Sequence, residues 1–373
     1  MTRYVRNLLR WIARLDPELR FTFFVHPHQA IETREEIENL GLTRVRAEIE
    51  SIFTLRSARF DLYWQPWSYN KYLPRRGPIV VTIHDVTPFL FPDQQPKEWF
   101  RRYKLLRRFR RGASRADLIL SDSEFTRHEI TRRLRVPSRR IRVAWLGADD
   151  FAPGDPAAAA EQVRGLGVEG PYILYVGGHE ERKNLARLVR AFALLRTRCG
   201  LDCRLVLAGP VPALPVEVGA LLDDEGVRDA AHYFGNVTDQ TLQALYRAAR
   251  VLAYPSVYEG FGLPILEAMA SATPVVAASA SCLPEVAGDA ALYFDPRSAD
   301  ELAERLRLAV TDEPLRRQLI ARGVVRAAQF RWEETARITL EAFGTVVGRS
   351  RKDAPVADPL PVQDVASSWE TNA

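Results

Sequence analysis

Val251-Leu252-Ala253-Tyr254-Pro255-Ser256-Val257-Tyr258-Glu259-Gly260-Phe261-Gly262-Leu263-Pro264-Ile265-Leu266-Glu267 is the stretch whose reading decides the fold. Val251 to Tyr254 form a short apolar run of the kind that makes a buried strand. A loop follows, and a helix is expected over about 263–271, with Pro264 in the first turn where its missing N–H costs nothing. Gly260 and Gly262 let the backbone approach a ligand closely, and the amides of Phe261, Gly262 and Leu263 point outward from a helix start. Glu259 lies in the loop and Glu267 about one turn inside the helix, so the two carboxylates can touch different parts of one ligand. Carboxylates accept hydroxyl hydrogen bonds, and two in one cleft suit a polyhydroxyl substrate. The plainer alternative is an ordinary helix whose first-turn acids favour its dipole.

The same strand-to-helix alternation extends to either side. Strands are expected at 172–176, 204–208, 232–234, 274–277 and 291–294, with helices at about 184–199 and 239–250. Nearer the amino end, strand-like runs occupy 21–25, 61–64, 79–84, 117–121 and 141–146, and helices are expected at 97–111 and 124–134. Such repetition gives parallel sheets covered by helices. The expected architecture is α/β, with two Rossmann-like doubly wound domains facing a central cleft. Residues 1–150 form the first domain, the Pro/Gly/Ala-rich 151–171 a linker, and 172–330 the second domain. Residues 331–348 add a carboxyl-terminal helix, and 349–373 a disordered tail. The amino end is unusual. A doubly wound half should open with a strand and a glycine-rich loop, yet Tyr4, Leu8, Trp11 and Leu15 already follow helical spacing. A first strand and loop, roughly 15–20 residues by element length, are therefore expected to be absent from this sequence.

A second candidate site is Gly177-Gly178-His179-Glu180-Glu181-Arg182-Lys183-Asn184, at the carboxyl end of the expected strand 172–176. Ligands bind at that edge of a parallel sheet, and Arg182 and Lys183 supply charge for phosphate oxygens. The spacing is neither a Walker A loop nor a G-x-G-x-x-G fingerprint. A third candidate is His84, in Thr82-Ile83-His84-Asp85-Val86, leaving the strand that begins at Ile79. Taken alone, such a histidine is more often structural. The chain has no Asp-x-Asp, so no oxygen cage for a diphosphate-bridging metal is expected. His26 and His28 have no further ligand near them and read as loop residues.

Charge divides unevenly. Residues 1–150 carry 29 Lys+Arg and 18 Asp+Glu, a net of +11; the remainder carries 52 − 29 = 23 and 47 − 18 = 29, a net of −6. The first half is thus expected to face an anionic partner. No apolar run reaches a membrane span, and four arginines in the first 15 residues argue against a signal peptide. The three cysteines read as reduced, packed thiols in a cytoplasmic protein.

These residues together resemble glycosyltransferase family 4, the retaining group 1 family with the GT-B fold. The match runs through Tyr175-Val176-Gly177, Arg182-Lys183-Asn184, Leu207-Ala208-Gly209, Tyr254-Pro255-Ser256, Glu259 to Glu267 (the family's E-x₇-E signature), Thr273-Pro274-Val275-Val276 and Leu283-Pro284-Glu285-Val286-Ala287-Gly288. Looser matches are Tyr4-Val5-Arg6-Asn7-Leu8-Leu9, Thr82 to Asp85 and Ser121 to Phe125. The resemblance implies that Gly178, Arg182 and Lys183 border the diphosphate of a nucleotide-sugar donor and that Glu267 takes its ribose hydroxyls. Glu259, with the amides of Phe261, Gly262 and Leu263, would hold the transferred sugar, and His84 would reach that sugar from the opposite domain. It further implies transfer with retention, no cofactor and no catalytic metal. The Ile-His-Asp-Val-Thr-Pro stretch most resembles mannosyltransferases of polysaccharide and O-antigen assembly, which favours GDP-mannose, with a UDP-sugar as the alternative.

The acceptor is expected to be a glycan or a lipid-linked saccharide. Trp64, Trp67 and Tyr69 stand where they could stack on it, or pack a core. Eight basic residues between Lys97 and Arg111, Arg107 and Arg108 among them, alternate with Trp99, Phe100, Leu105, Leu106 and Phe109. Such a helix can lie on an anionic membrane surface, here the inner face of the plasma membrane, or pack its apolar stripe on the sheet. A non-catalytic partner subunit of the same fold is the main rival reading. Nucleic-acid binding is not expected, given the acidic second half and the lack of a recognition motif.

Overall fold

The computed structural model describes residues 3–41, 47–69, 71–91, 99–210 and 213–348. The carboxyl-terminal half is one six-stranded, wholly parallel sheet. Its strands are β7 (Tyr172–Val176), β8 (Arg204–Ala208), β9 (Ala231–Phe234), β10 (Val251–Tyr254), β11 (Val275–Ala278) and β12 (Ala291–Phe294). They stand in the order β12-β11-β10-β7-β8-β9, with the first strand at the centre. This is the doubly wound order, and its crevice lies at the carboxyl ends of β7 and β10, where the order reverses. Every residue of β10 and β11 is buried, which explains their unbroken apolar runs.

The amino-terminal half is divided. Strands β3 (Tyr63–Gln65), β4 (Ile79–Ile83), β5 (Leu118–Ser121) and β6 (Ile141–Val143) form one parallel sheet, while β1 (Phe21–Val25) and β2 (Ala47–Ser51) pair only with each other. Among the described residues no strand takes the central place that β7 takes in the other half. Helix α1 (Arg3–Leu15) precedes β1 and buries Tyr4, Leu8, Leu9 and Ile12.

Several element boundaries depart from expectation. The stretch expected as a linker carries helix α6 (Pro156–Gly165), capped by Asp155, whose side chain accepts from the Ala157 amide at 2.9 Å. Its four alanines are strong helix formers, Pro156 sits in the first turn, and Ala159 and Val163 are buried. Strand β6 ends at Val143, three residues short, and His84 lies just beyond β4. The basic helix α4 runs Trp99–Arg115; Lys97 and the tail 349–373 lie outside the described residues. Of the cysteines, Cys203 and Cys282 are buried, but Cys199, at the last turn of helix α7 (Leu185–Cys199), is exposed.

The final helix α14 (Trp332–Val346) returns to the amino-terminal half. Ala342 packs with Val80, Leu120 and Ala144. The Trp332 amide donates to Asp149 at 2.8 Å, and Thr335 Oγ1 to the Trp145 carbonyl at 2.6 Å. A side chain at Gly147 would sit 2.2 Å from the Trp332 nitrogen, so only glycine fits that crossing.

Candidate active site

The loop after β10 enters helix α10 (Leu263–Ala270) through Gly262, whose φ of +100° demands glycine. Cys282, fully buried, donates to the Glu259 and Phe261 carbonyls at 3.3 and 3.0 Å, and Ser281 Oγ accepts the Glu259 amide at 3.1 Å. The loop is thus fixed from below, and the Glu259 carboxylate is aimed by its backbone. It takes Lys183 Nζ at 2.7 Å and the Tyr254 hydroxyl at 3.0 Å on Oε1, and Arg182 Nη1 at 3.3 Å on Oε2. Burial pushes its pKa upward, but Lys183 and Arg182 outweigh that, and the carboxyl stays below the usual glutamate range.

Arg182 and Lys183 lie in a single helical turn, Glu181–Lys183, that follows β7 and ends at Asn184 in the left-handed region. Asn184 Nδ2 donates to the carbonyls of Pro255 and Pro296, and the Val257 amide donates to the Arg182 carbonyl at 2.8 Å. These bonds hold the two expected donor-binding loops against each other. Gly178 lines a small pocket with Gly177, Ala208, Leu214 and Tyr233 at the carboxyl ends of β7 and β8.

Glu267, also buried, accepts from the Tyr246 hydroxyl at 2.8 Å and from the Arg3 guanidinium. Arg3 also meets Asp239 at 2.6 Å. Burial raises the Glu267 pKa, and Arg3 and Tyr246 only partly offset it. Sequence reading singled out none of Arg3, Asp239 or Tyr246, because the contact joins residues 264 positions apart.

His84 stands on the opposite wall. Its Nδ1 meets Asp122 Oδ2 at 2.7 Å and its Nε2 meets the Pro66 carbonyl at 3.0 Å. Two acceptors facing two ring nitrogens require both to carry protons. Burial opposes the charge, but Asp122 prevails and lifts the ring's pKa to about 9. The ring of Tyr4 meets it edge-on at 4.7 Å.

Wall and loop touch directly. A methyl group at Gly260 would lie 1.8 Å from the His84 carbonyl oxygen. The Gly260 carbonyl accepts from Ser123 Oγ at 2.7 Å and Thr126 Oγ1 at 3.0 Å. Glu285 takes the Glu124 and Phe125 amides at 2.8 and 3.0 Å, placing an anion at the start of helix α5 (Glu124–Leu134). The structure therefore brings His84, Glu259, Phe261, Gly262, Leu263, Arg182 and Lys183 to one crevice, with Gly178 and Glu267 on its flanks. Arg107 and Arg108 lie on α4, Arg107 exposed and Arg108 half-buried. Among the described residues no group of three or more His, Cys, Asp or Glu is placed to hold a metal ion, and no helix is long and apolar enough to cross a membrane.

Comparison with known proteins gives the family. Residues 1–150 match Glycosyltransferase Family 4, and residues 158–325 match Glycosyl transferases group 1. The chain is 37% identical to O-antigen chain mannosyltransferase B of Escherichia coli over 78% of its own length and 76% of that protein. It is 29% identical to the serotype-specific mannosyltransferase WbdA of Escherichia coli over 75% of its length, but spans only 35% of that protein. The crystal structure of HepE from Anabaena, in complex with UDP and glucose, is similar in fold, with a TM-score of 0.70 at 18% identity over 91% of this chain and 95% of that one. Two parallel-sheet domains, the glutamate pair flanking the loop into α10 and these matches lead to one conclusion: the chain belongs to glycosyltransferase family 4, group 1, with the GT-B fold.

Proposed function

We propose that this chain is a retaining hexosyltransferase that moves mannose from GDP-mannose to a glycan or lipid-linked saccharide in cell-surface polysaccharide synthesis. One observation carries the reading: Glu259, in the loop that leads into α10, lies between Lys183 and Arg182. Two cations gathered on one buried carboxylate near a helix N-terminus, with the more exposed Glu180 3.9 Å from Arg182, suit a diphosphate that takes over those cations next to a sugar. The 37% identity to a mannosyltransferase supports mannose as the sugar.

In this reading Arg182 and Lys183 hold the diphosphate and stabilise it as it leaves, so no metal is needed for that charge. The nucleoside lies toward Gly178, its ribose hydroxyls taking Glu267 in exchange for Arg3. Glu259 and the amides of Phe261, Gly262 and Leu263 orient the mannose. The bond from the anomeric carbon to the phosphate oxygen breaks as the acceptor oxygen bonds to the same face. The acceptor's proton passes to the departing phosphate. His84, with both N–H groups already donated, serves as a fixed positive charge on the facing wall and not as a base. The closed wall limits competing attack by water.

We further place the protein in the cytoplasm, against the inner face of the plasma membrane. In favour of this, α4 turns Phe109 inward while Trp99 and Tyr103 stand exposed among Arg101, Lys104 and Arg107.

Titration calorimetry with GDP-mannose, UDP-glucose, GDP and UDP tests the donor. The expected result is binding of the guanine ligands over the uracil ones, lost at least tenfold in Glu267→Ala. Preferential binding of UDP-glucose would replace the donor, and no binding to the folded protein would remove the enzyme reading.

A further inference from the structure

Four aromatic rings meet outside the crevice, and nothing in the transfer chemistry uses them. His26 stacks on His28 with centroids 5.5 Å apart. It also meets Phe53 edge-on at 5.7 Å and Tyr72 at 5.9 Å, and Phe53 meets Tyr72 at 5.8 Å. Lys71 Nζ lies 5.1 Å from the Tyr72 ring centre. Phe53 is 61% exposed and His28 is exposed as well, while His26 and Tyr72 are half-buried, Tyr72 packing with one side against the core of this half. His26 and Phe53 follow the carboxyl ends of β1 and β2, and Tyr72 lies in the loop after β3. All three positions are on the ligand-binding edge of parallel strands.

That loop also leads to the crevice. The Pro66 carbonyl and Ser68 Oγ bind His84, the latter at 3.1 Å through the His84 amide. Trp67 and Tyr69 lie on the same loop, both partly exposed, and Tyr69 is 6.0 Å from Phe109 of α4. Six residues span at most about 20 Å of chain, so the cluster stays within reach of an extended ligand whose end lies at His84. Exposed ring faces stack on the C–H faces of sugars, while the imidazole and ammonium groups at their rim bind hydroxyls. Lys71 is the charged group that meets these rings.

We propose that His26, His28, Phe53 and Tyr72 form a second acceptor subsite, which stacks on a neutral sugar several units behind the one being extended. Acceptor length is then sensed through ring stacking at the ends of β1 and β2, separately from donor binding. The proposal rests on the acceptor side of the transferase reading.

The test compares mannopentaose with methyl α-mannoside as acceptors for the intact chain, Phe53→Ala and Tyr72→Ala, with GDP-mannose hydrolysis followed in parallel. In the unmodified chain the longer acceptor should have a KM about tenfold lower, the effect of one good ring contact. Each variant should erase that advantage, leaving kcat, donor hydrolysis and the KM for methyl α-mannoside unchanged. Equal KM values for the two acceptors in the unmodified chain, or an advantage surviving in both variants, would overturn the subsite while leaving the transferase reading intact. Should no transfer occur with either acceptor, mannopentaose binding followed by the ring proton signals of His26 and His28 decides. Perturbation abolished by Phe53→Ala supports the subsite, and its absence removes it.

Discussion

His84 and Asp122 show how one pair fixes a protonation state. The imidazole is 28% exposed along its side chain, yet the 2.7 Å contact with a nearly buried carboxylate holds it charged to about pH 9. A raised folded pKa adds stability that is fully present below the unfolded value near 6.5 and lost as pH rises through about 9. Thermal unfolding of the intact chain should therefore fall more steeply between about pH 7 and about pH 10 than that of Asp122→Asn. Parallel curves would mean that the pair adds no such linkage. Glu259 illustrates the opposite balance, a buried carboxylate kept ionised by two cations. Breaking such a set by removing one member leaves a buried charge uncompensated, so its substitution is read by chemistry and not by stability alone. Both residues were legible as candidates from their strand-end positions. Their partners divide: Lys183 and Arg182 were visible as a basic pair at a loop, whereas Asp122 reaches His84 only through folding, as Arg3 reaches Glu267.

Among the elements, strands β7, β8, β10 and β12 were read to their end residues, because strands buried on both faces show as continuous apolar runs. Strand β2, Ala-Glu-Ile-Glu-Ser, was missed: it pairs on one side only and carries two glutamates facing out. Helix α6 was hidden by a composition that reads equally as linker. The cap that Glu285 gives to α5 spans 161 positions, and no local pattern encodes it. Helix α4 is where periodicity was informative yet incomplete. Its inward stripe was expected, but the exposed Trp99 and Tyr103 form a second apolar strip beside Lys104 and Arg107. Cosedimentation with vesicles containing anionic phospholipid should capture the chain, and R107E/R108E should release much of it at low salt. Arg107, the exposed member, should account for most of the loss. Equal capture of both proteins, or capture by neutral vesicles as well, would detach α4 from any electrostatic role.

At the scale of the whole molecule, the two halves meet through backbone and side chain at once. Gly260 lies against the His84 carbonyl, Ser123 and Thr126 hold the Gly260 oxygen, and Glu285 and Trp145 link the same surfaces at 2.8 Å. The helix α14 returns across the first half and ties the end of the chain to Trp145 and Asp149. Arg182 and Lys183, the loop from Glu259 to Leu263 and the facing His84 are thus held together by contacts between the two halves. The division of the amino-terminal sheet could not have been read from strand spacing, since β2 shows no apolar run and no local pattern says which strands pair. The decisive measurement is the anomeric configuration and yield of mannoside formed from GDP-mannose in the presence of EDTA, by the intact chain and by Glu259→Gln. An α-linked product from the intact chain, with turnover reduced about a hundredfold or more in Glu259→Gln, is the predicted result. A β-linked product, turnover that needs added divalent metal, or unchanged turnover in Glu259→Gln would contradict it.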